Sequence, residues 1–182
     1  HFLHRSWGPL EPFDDSFPEI MKKQGIYTHL VTDHHHYFAD GGATYHQRYS
    51  SWELVRGQAI DRWKAIVNPD TESLKSKFHQ MQHHRTNYMI NREFMLEEED
   101  YCSPQLFNLA DEFLQVNHKS DNWLLQLECF DPHEPFHAPE RFRRKYQTSK
   151  KRVAQFCAKR GAQQLPFILL SRIGEKNVDK NY

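Results

Sequence analysis

Gly25-Ile26-Tyr27-Thr28-His29-Leu30-Val31-Thr32-Asp33-His34-His35-His36-Tyr37 sets the fold class. After the glycine come seven residues rich in β-branched and aromatic side chains, which predict a strand. Upstream, Ser16 can cap a short helix with Pro18 in its first turn, running through Ile20-Met21-Lys22-Lys23 and stopped by Gly25. Helix, glycine stop and strand form the unit of layered α/β folds, so that class is expected. Asp33 to Tyr49 is polar, rich in histidine and holds Gly41-Gly42; it reads as a loop leaving the C-terminal end of the strand. Ligands of open α/β sheets bind beyond that end.

Trp123-Leu124-Leu125-Gln126-Leu127-Glu128-Cys129-Phe130 predicts a second strand. Its nearly continuous apolar character suits a central position, buried on both faces. It runs into Asp131-Pro132-His133-Glu134-Pro135, a second exit dense in ionisable groups. Between the strands, residues 70–96 predict helix, with Asp70 or Thr71 as cap and Leu74, Phe78 and Met81 at helical spacing. Ser103-Pro104 predicts another helix start by the cap-and-first-turn rule, with an apolar stripe of Leu106, Leu109, Phe113 and Leu114 that fades at Asn117. A short basic helix is expected after Ala138-Pro139.

Composition narrows the function classes. In 182 residues the longest clearly apolar run is Phe167-Ile168-Leu169-Leu170, far short of the ~20 residues of a spanning helix. Aromatics at 14% argue against disorder. Balanced charge, 24 basic against 24 acidic, argues against a dedicated nucleic-acid binder. Cys102, Cys129 and Cys157 are odd in number and lack metal spacing, so reduced thiols are expected. Charge is unevenly spread: residues 1–146 carry 16 basic and 22 acidic side chains, residues 147–182 carry 8 and 2. The reversal marks a candidate boundary near Gln147, with one domain expected over 1–146 and a divergent basic tail over 147–182.

Two segments can carry chemistry. Alternate residues leaving a strand point to one side, so His34 and His36 can share a site. Imidazoles there can ligate a metal, hold an anion or shuttle protons. In the second segment Pro132 and Pro135 flank His133 and fix its backbone. Other patterns are weaker. His79 and His83 sit at i and i+4, but Gln80 stands where a zinc protease places its glutamate base. Asp40-Gly41-Gly42 reads as a turn, and Glu97-Glu98-Glu99-Asp100 as a solvated acidic run. Nine basic and no acidic residues between Arg141 and Arg160 read as a solvated helix face.

In this order, with Thr32-Asp33-His34-His35-His36-Tyr37-Phe38, Asp40-Gly41-Gly42-Ala43-Thr44-Tyr45-His46, Asp121-Asn122-Trp123 and Phe130-Asp131-Pro132-His133-Glu134-Pro135-Phe136, the chain resembles the sulfatase family of the alkaline-phosphatase superfamily. The resemblance covers about residues 1–146 and fades from about Thr148. It implies a partial sulfatase-like α/β fold, with a central mixed sheet flanked by helices. It also implies a sulfate, phosphonate or phosphate ester as substrate. In that family a formylglycine made from the cysteine of Cys-x-Pro-Ser-Arg attacks sulfur, and a Ca²⁺-type ion held by carboxylates steadies the charged oxygens. By resemblance His36 takes the histidine place of the family's Gly-Lys-Trp-His motif, and His34 stands where its lysine sits. His133 matches the histidine of Pro-His-x-Pro and is the candidate general acid.

Much of the family's machinery has no counterpart here. Cys102-Ser103-Pro104-Gln105-Leu106 imitates only the start of the nucleophile motif and lies downstream of the histidine run. Asp14-Asp15 follow no apolar strand, and no later Asp-His-Gly or Asp-Asn-Gly occurs, so no metal ligands are assigned. The chain opens His1-Phe2-Leu3-His4 without Met or a signal peptide. The expectation is therefore an internal fragment of a sulfuric-ester hydrolase that carries substrate-side histidines and is inactive alone, supporting neither Ca²⁺ nor formylglycine. Two rivals remain: a histidine-rich metal-binding protein using His34, His36, His46 and His133, and a non-catalytic binding module on a degenerate sulfatase fold. No nucleic-acid or membrane partner is expected.

Overall fold

The computed structural model describes residues 9–39, 42, 44–77, 86–133, 137–146 and 167–172. Helix α1 (Phe17–Lys23) ends as the glycine predicts. Gly25 takes φ +79°, its N–H donates to the Lys22 carbonyl and the Ile26 N–H to the Met21 carbonyl. That double closure satisfies the orphan carbonyls of the last turn and turns the chain straight into β1 (Tyr27–Thr32).

β1 pairs in parallel with β2 (Ser51–Leu54) on one side and with β3 (Trp123–Glu128) on the other. β4 (Phe167–Arg172) runs antiparallel along the whole of β3, giving a mixed sheet of order β2-β1-β3-β4. β1 and β3 are interior and almost wholly buried. This is the mixed α/β sheet that the resemblance implied.

Helix α4 (Cys102–Asn117) covers one face of the sheet. Cys102, Leu106 and Ala110 of its buried stripe pack with Val31, Trp123, Leu125 and Leu127, joined by Val55 and Met95. Leu106 and Leu125 are 0% exposed, and burial of each such leucine is worth roughly 1.5–3 kcal/mol. A smaller cluster of Leu74, Met89 and Ile90 joins α2 (Thr71–Lys77) to α3 (Thr86–Arg92). Of the helix expected over 70–96, the described residues give α2 and α3 on either side of residues 78–85, which lie outside the described residues, and α3 ends at Arg92, short of residue 96. After Arg92 the chain turns, and Met95 enters the main core instead. Helix α4 starts two residues earlier than the Ser103-Pro104 rule placed it: Tyr101 is the N-cap and Cys102, a buried core residue, opens the first turn. Phe78, Met81, His79 and His83 lie outside the described residues, as does Cys157.

The acidic run and the start of the basic stretch meet each other. Glu97 and Asp100 form a reciprocal capping box around the 3-10 turn Glu98–Asp100. Arg141, on α5 (Glu140–Tyr146), ion-pairs with Glu98. Asp14 accepts the Glu11 N–H at 2.9 Å, a local turn contact.

The basic tail expected over 147–182 pairs with the sheet through its described residues 167–172. Its apolar run Phe167-Ile168-Leu169-Leu170 belongs to β4, which closes the free side of β3. The reason is the pairing demand of a buried strand: β3 needs main-chain partners on both sides. Truncation after residue 166 should therefore lower Tm by several degrees and promote aggregation through the exposed β3 edge. Differential scanning calorimetry with light scattering checks this; an unchanged Tm would mean that β4 is dispensable.

Candidate functional site

In the parallel register Thr32 stands beside Glu128, so both strands leave the sheet at the same end. Asp33 joins the two exits: its Oδ1 accepts the Phe130 N–H at 2.7 Å, across 97 positions of sequence. Asp33 is 0% exposed, and its Oδ2 has no partner among the described residues. Burial pushes its carboxyl up to about 7; the Phe130 N–H opposes the shift, and the Asp131 and Glu128 carboxylates add to it.

His34 comes next and is buried. Its Nδ1 lies 3.3 Å from Glu128 Oε1, which also accepts the Tyr37 hydroxyl at 3.0 Å. The opposite nitrogen of the ring, Nε2, is buried with no partner among the described residues. Glu128 and Tyr37 thus hold the ring in one orientation, as second partners of functional histidines do. Burial and the Glu128 charge push the Tyr37 hydroxyl far up, so it remains a donor.

The Phe130 ring is the hub of the cluster. Its centroid lies 4.8 Å from that of His34, 4.2 Å from His133, 6.3 Å from His36 and 6.2 Å from His35. The three histidines singled out in the sequence therefore gather around one aromatic ring. Burial, with His36 alongside, pushes His35 down to about 4. Burial first, and then His34 and His133, also lower His36. Both rings are neutral at neutral pH. His35 Nδ1 is a further buried atom without a partner among the described residues.

A 3-10 turn over His35–Phe38 carries the run, and Gly42 folds back on it. A Cβ at position 42 would collide with the His36 carbonyl, so the glycine is required by close approach. His46 does not join the cluster. It is buried in aromatic packing, 4.2 Å from Phe38 and 4.8 Å from Trp52 between centroids. Cys102 is also elsewhere, its thiol buried in the core beside the Arg56 carbonyl and pushed well up by burial. Residues 134–136 lie outside the description.

Sequence reasoning did not assign Asp33, His35, Tyr37, Glu128 or Phe130. A signal existed for Glu128: it is the acidic residue in an otherwise apolar predicted strand. The Asp33–Phe130 contact had none, since only strand pairing brings it about.

A model of the sulfatase family matches residues 3–175 of the 182. The match runs through β4, beyond the point near Thr148 where the resemblance was expected to end. No curated protein and no solved structure shows a significant match.

The Asp33 shift has a definite sign. Its folded value near 7 exceeds the ordinary 3.8, so the folded state retains a proton that the unfolded chain gives up between those pH values. Asp33 therefore lowers stability as pH rises from about 4 to 7. His35, held neutral by burial, acts oppositely between about 4 and its ordinary 6.5. Comparison with Asp33→Asn separates the two, because the amide reproduces the protonated acid. Urea midpoints at pH 5 and pH 7.5 should show the variant gaining on the parent as pH rises. Parallel pH profiles would disprove a buried, protonated Asp33.

Proposed function

Because the chain belongs to the sulfatase family, we propose that its β1 and β3 exits form the substrate side of a sulfuric-ester hydrolase site. His34 and His36 contact the sulfate group, and His133 delivers a proton to the oxygen of the leaving alcohol. The reading is supported chiefly by the gathering of these three imidazoles around Phe130. His34 Nδ1–H is given to Glu128, so the buried Nε2, without a partner among the described residues, can donate to a sulfate oxygen when the ring is an imidazolium.

The formylglycine and divalent ion implied by the family do not fit the residues described. No Cys-x-Pro-Ser-Arg occurs in the chain. Among the described residues no group of three or more His, Cys, Asp or Glu is arranged to hold a metal ion. Cys102 lies in the hydrophobic core. No step is therefore routed through either group. On this reading the chain is one part of a catalytic domain, and the nucleophile and ion ligands belong to another part.

General acid assistance contributes about 10²–10⁴-fold, small beside the 10⁶-fold and more that enzymes typically reach. The chain alone should accordingly bind sulfate without hydrolysing p-nitrophenyl sulfate, with or without Ca²⁺. Calorimetric titration should show sulfate bound more tightly at pH 5 than at pH 7.5. The sign follows from His36, which is held below its ordinary value and attracts an anion only when acid protonates it. His34→Ala and His133→Ala should each weaken binding about 10- to 100-fold, the worth of one charge-assisted hydrogen bond. Binding unchanged in both variants would defeat the site assignment. Turnover lost in Cys102→Ala would instead make that thiol the nucleophile.

A further inference from the structure

An open groove of the described structure lies away from the histidine cluster. It occupies about 310 Å³ between the β1–β2 face and α4. Period-two alternation puts Tyr27 and His29 on one face of β1, and Ser51 and Glu53 on the same face of the neighbouring β2. The parallel register sets His29 opposite Ser51. The result is one continuous chain of contacts. The Tyr27 hydroxyl donates to Ser51 Oγ at 2.9 Å. Ser51 Oγ lies 2.6 Å from His29 Nδ1, and His29 Nε2 lies 3.2 Å from Glu53 Oε1.

Phe113 of α4 stacks on the His29 ring, 4.9 Å between centroids and 5° from parallel. The ring is therefore fixed in plane as well as by its two hydrogen bonds. Burial, the largest effect, lowers His29 and favours the neutral ring, against the Glu53 hydrogen bond and charge and a hydrogen bond to the Ser51 main chain. A carboxylate can only accept, which puts the ring proton on Nε2 and leaves Nδ1 to accept the Ser51 hydroxyl proton. A hydroxyl on a base that is oriented by a third group is the geometric signature of an activated nucleophile. Ser51 is partly exposed, and the Glu53 side chain is 45% exposed, so solutes can reach the groove.

We propose that Ser51, His29 and Glu53 form a second reactive site, a serine-type acyl-transfer centre for small neutral or cationic esters. The carboxylates of Glu53 and Glu112 line the groove and repel anionic esters, so its substrates differ from those of the histidine cluster. Ser51 Oγ attacks the ester carbonyl carbon while its proton passes to His29 Nδ1. Glu53 balances the imidazolium. The Tyr27 hydroxyl turns from Ser51 Oγ to the oxyanion. As the bond to the leaving alkoxide breaks, His29 returns the proton to that oxygen and the alcohol departs. Water then adds to the acyl-serine, its proton taken by His29. The bond to Ser51 Oγ breaks, the serine regains a proton from His29, and a carboxylic acid is released.

The full chain treated with diisopropyl fluorophosphate should acquire one diisopropylphosphoryl group. Peptide mapping should place it on Ser51, with fluoride as the leaving group. Hydrolysis of p-nitrophenyl acetate should exceed the buffer rate, vanish in Ser51→Ala, and fall about 10²–10⁴-fold in Glu53→Gln, the usual worth of a positioned acid–base system. Circular dichroism of both variants reports whether they fold. Mapping on the parent chain needs no variant, so a misfolded Ser51→Ala does not rescue the idea. Absence of any adduct, an adduct on a different serine, or Glu53→Gln rates equal to the parent would each overturn it.

Discussion

Parallel pairing of β1 with β3, from Tyr27 beside Trp123 to Thr32 beside Glu128, is the constraint on which the remaining structure rests. Two segments nearly a hundred residues apart are brought into hydrogen-bonding register, and their exits must then emerge together. The Asp33–Phe130 hydrogen bond fastens those exits just past the last ladder pair. β2 and β4 complete the main-chain pairing of the two interior strands. Helix α4 seals one face with the Leu106 stripe, so the sheet edge carrying the histidines rests on a packed base.

That base must offset a costly arrangement above it. Asp33 Oδ2, His34 Nε2, His35 Nδ1 and Glu128 Oε2 are all buried without a partner among the described residues, and each such atom costs roughly 1–3 kcal/mol. Burial keeps His35 and His36 neutral and returns a proton to Asp33 near neutral pH, which lessens the cost without removing it. Sequences depart from full polar satisfaction mainly where a site requires it. Four of the nine such atoms among the described residues lie at this one sheet end, which accords with the binding role proposed there.

The two ends of β1 differ in kind. Toward its N-terminal end the strand presents Tyr27 and His29 to the groove under α4, where the Tyr27 hydroxyl, Ser51 Oγ, both His29 ring nitrogens and Glu53 Oε1 are joined by hydrogen bonds. Beyond its C-terminal end it presents His34 and His35, each with a buried nitrogen left over. The first arrangement is tuned internally, through a fixed tautomer. The second leaves His34 Nε2 and His35 Nδ1 without a partner among the described residues. One strand thus borders two different polar arrangements, the first along its length and the second past its C-terminal end.

Local physics determined much of this protein from sequence alone. Gly25 ended α1, β-branched and apolar runs made β1 and β3, and the order of their exits pointed to the sulfatase family. The residues His34, His36 and His133 were visible because they cluster beside strand ends and prolines. Only tertiary structure decided the remainder. β2 is four residues with a glutamate at its centre, too short and polar to announce itself, and exists because β1 offers it a partner. β4 sits in a charge-reversed tail and joins the sheet for the same reason. Asp33–Phe130, Glu128–His34 and Ser51–His29 are contacts between residues far apart in the chain, and no local pattern encodes them. A side chain's neighbours across a sheet are set by register, and register is settled only when whole strands pair.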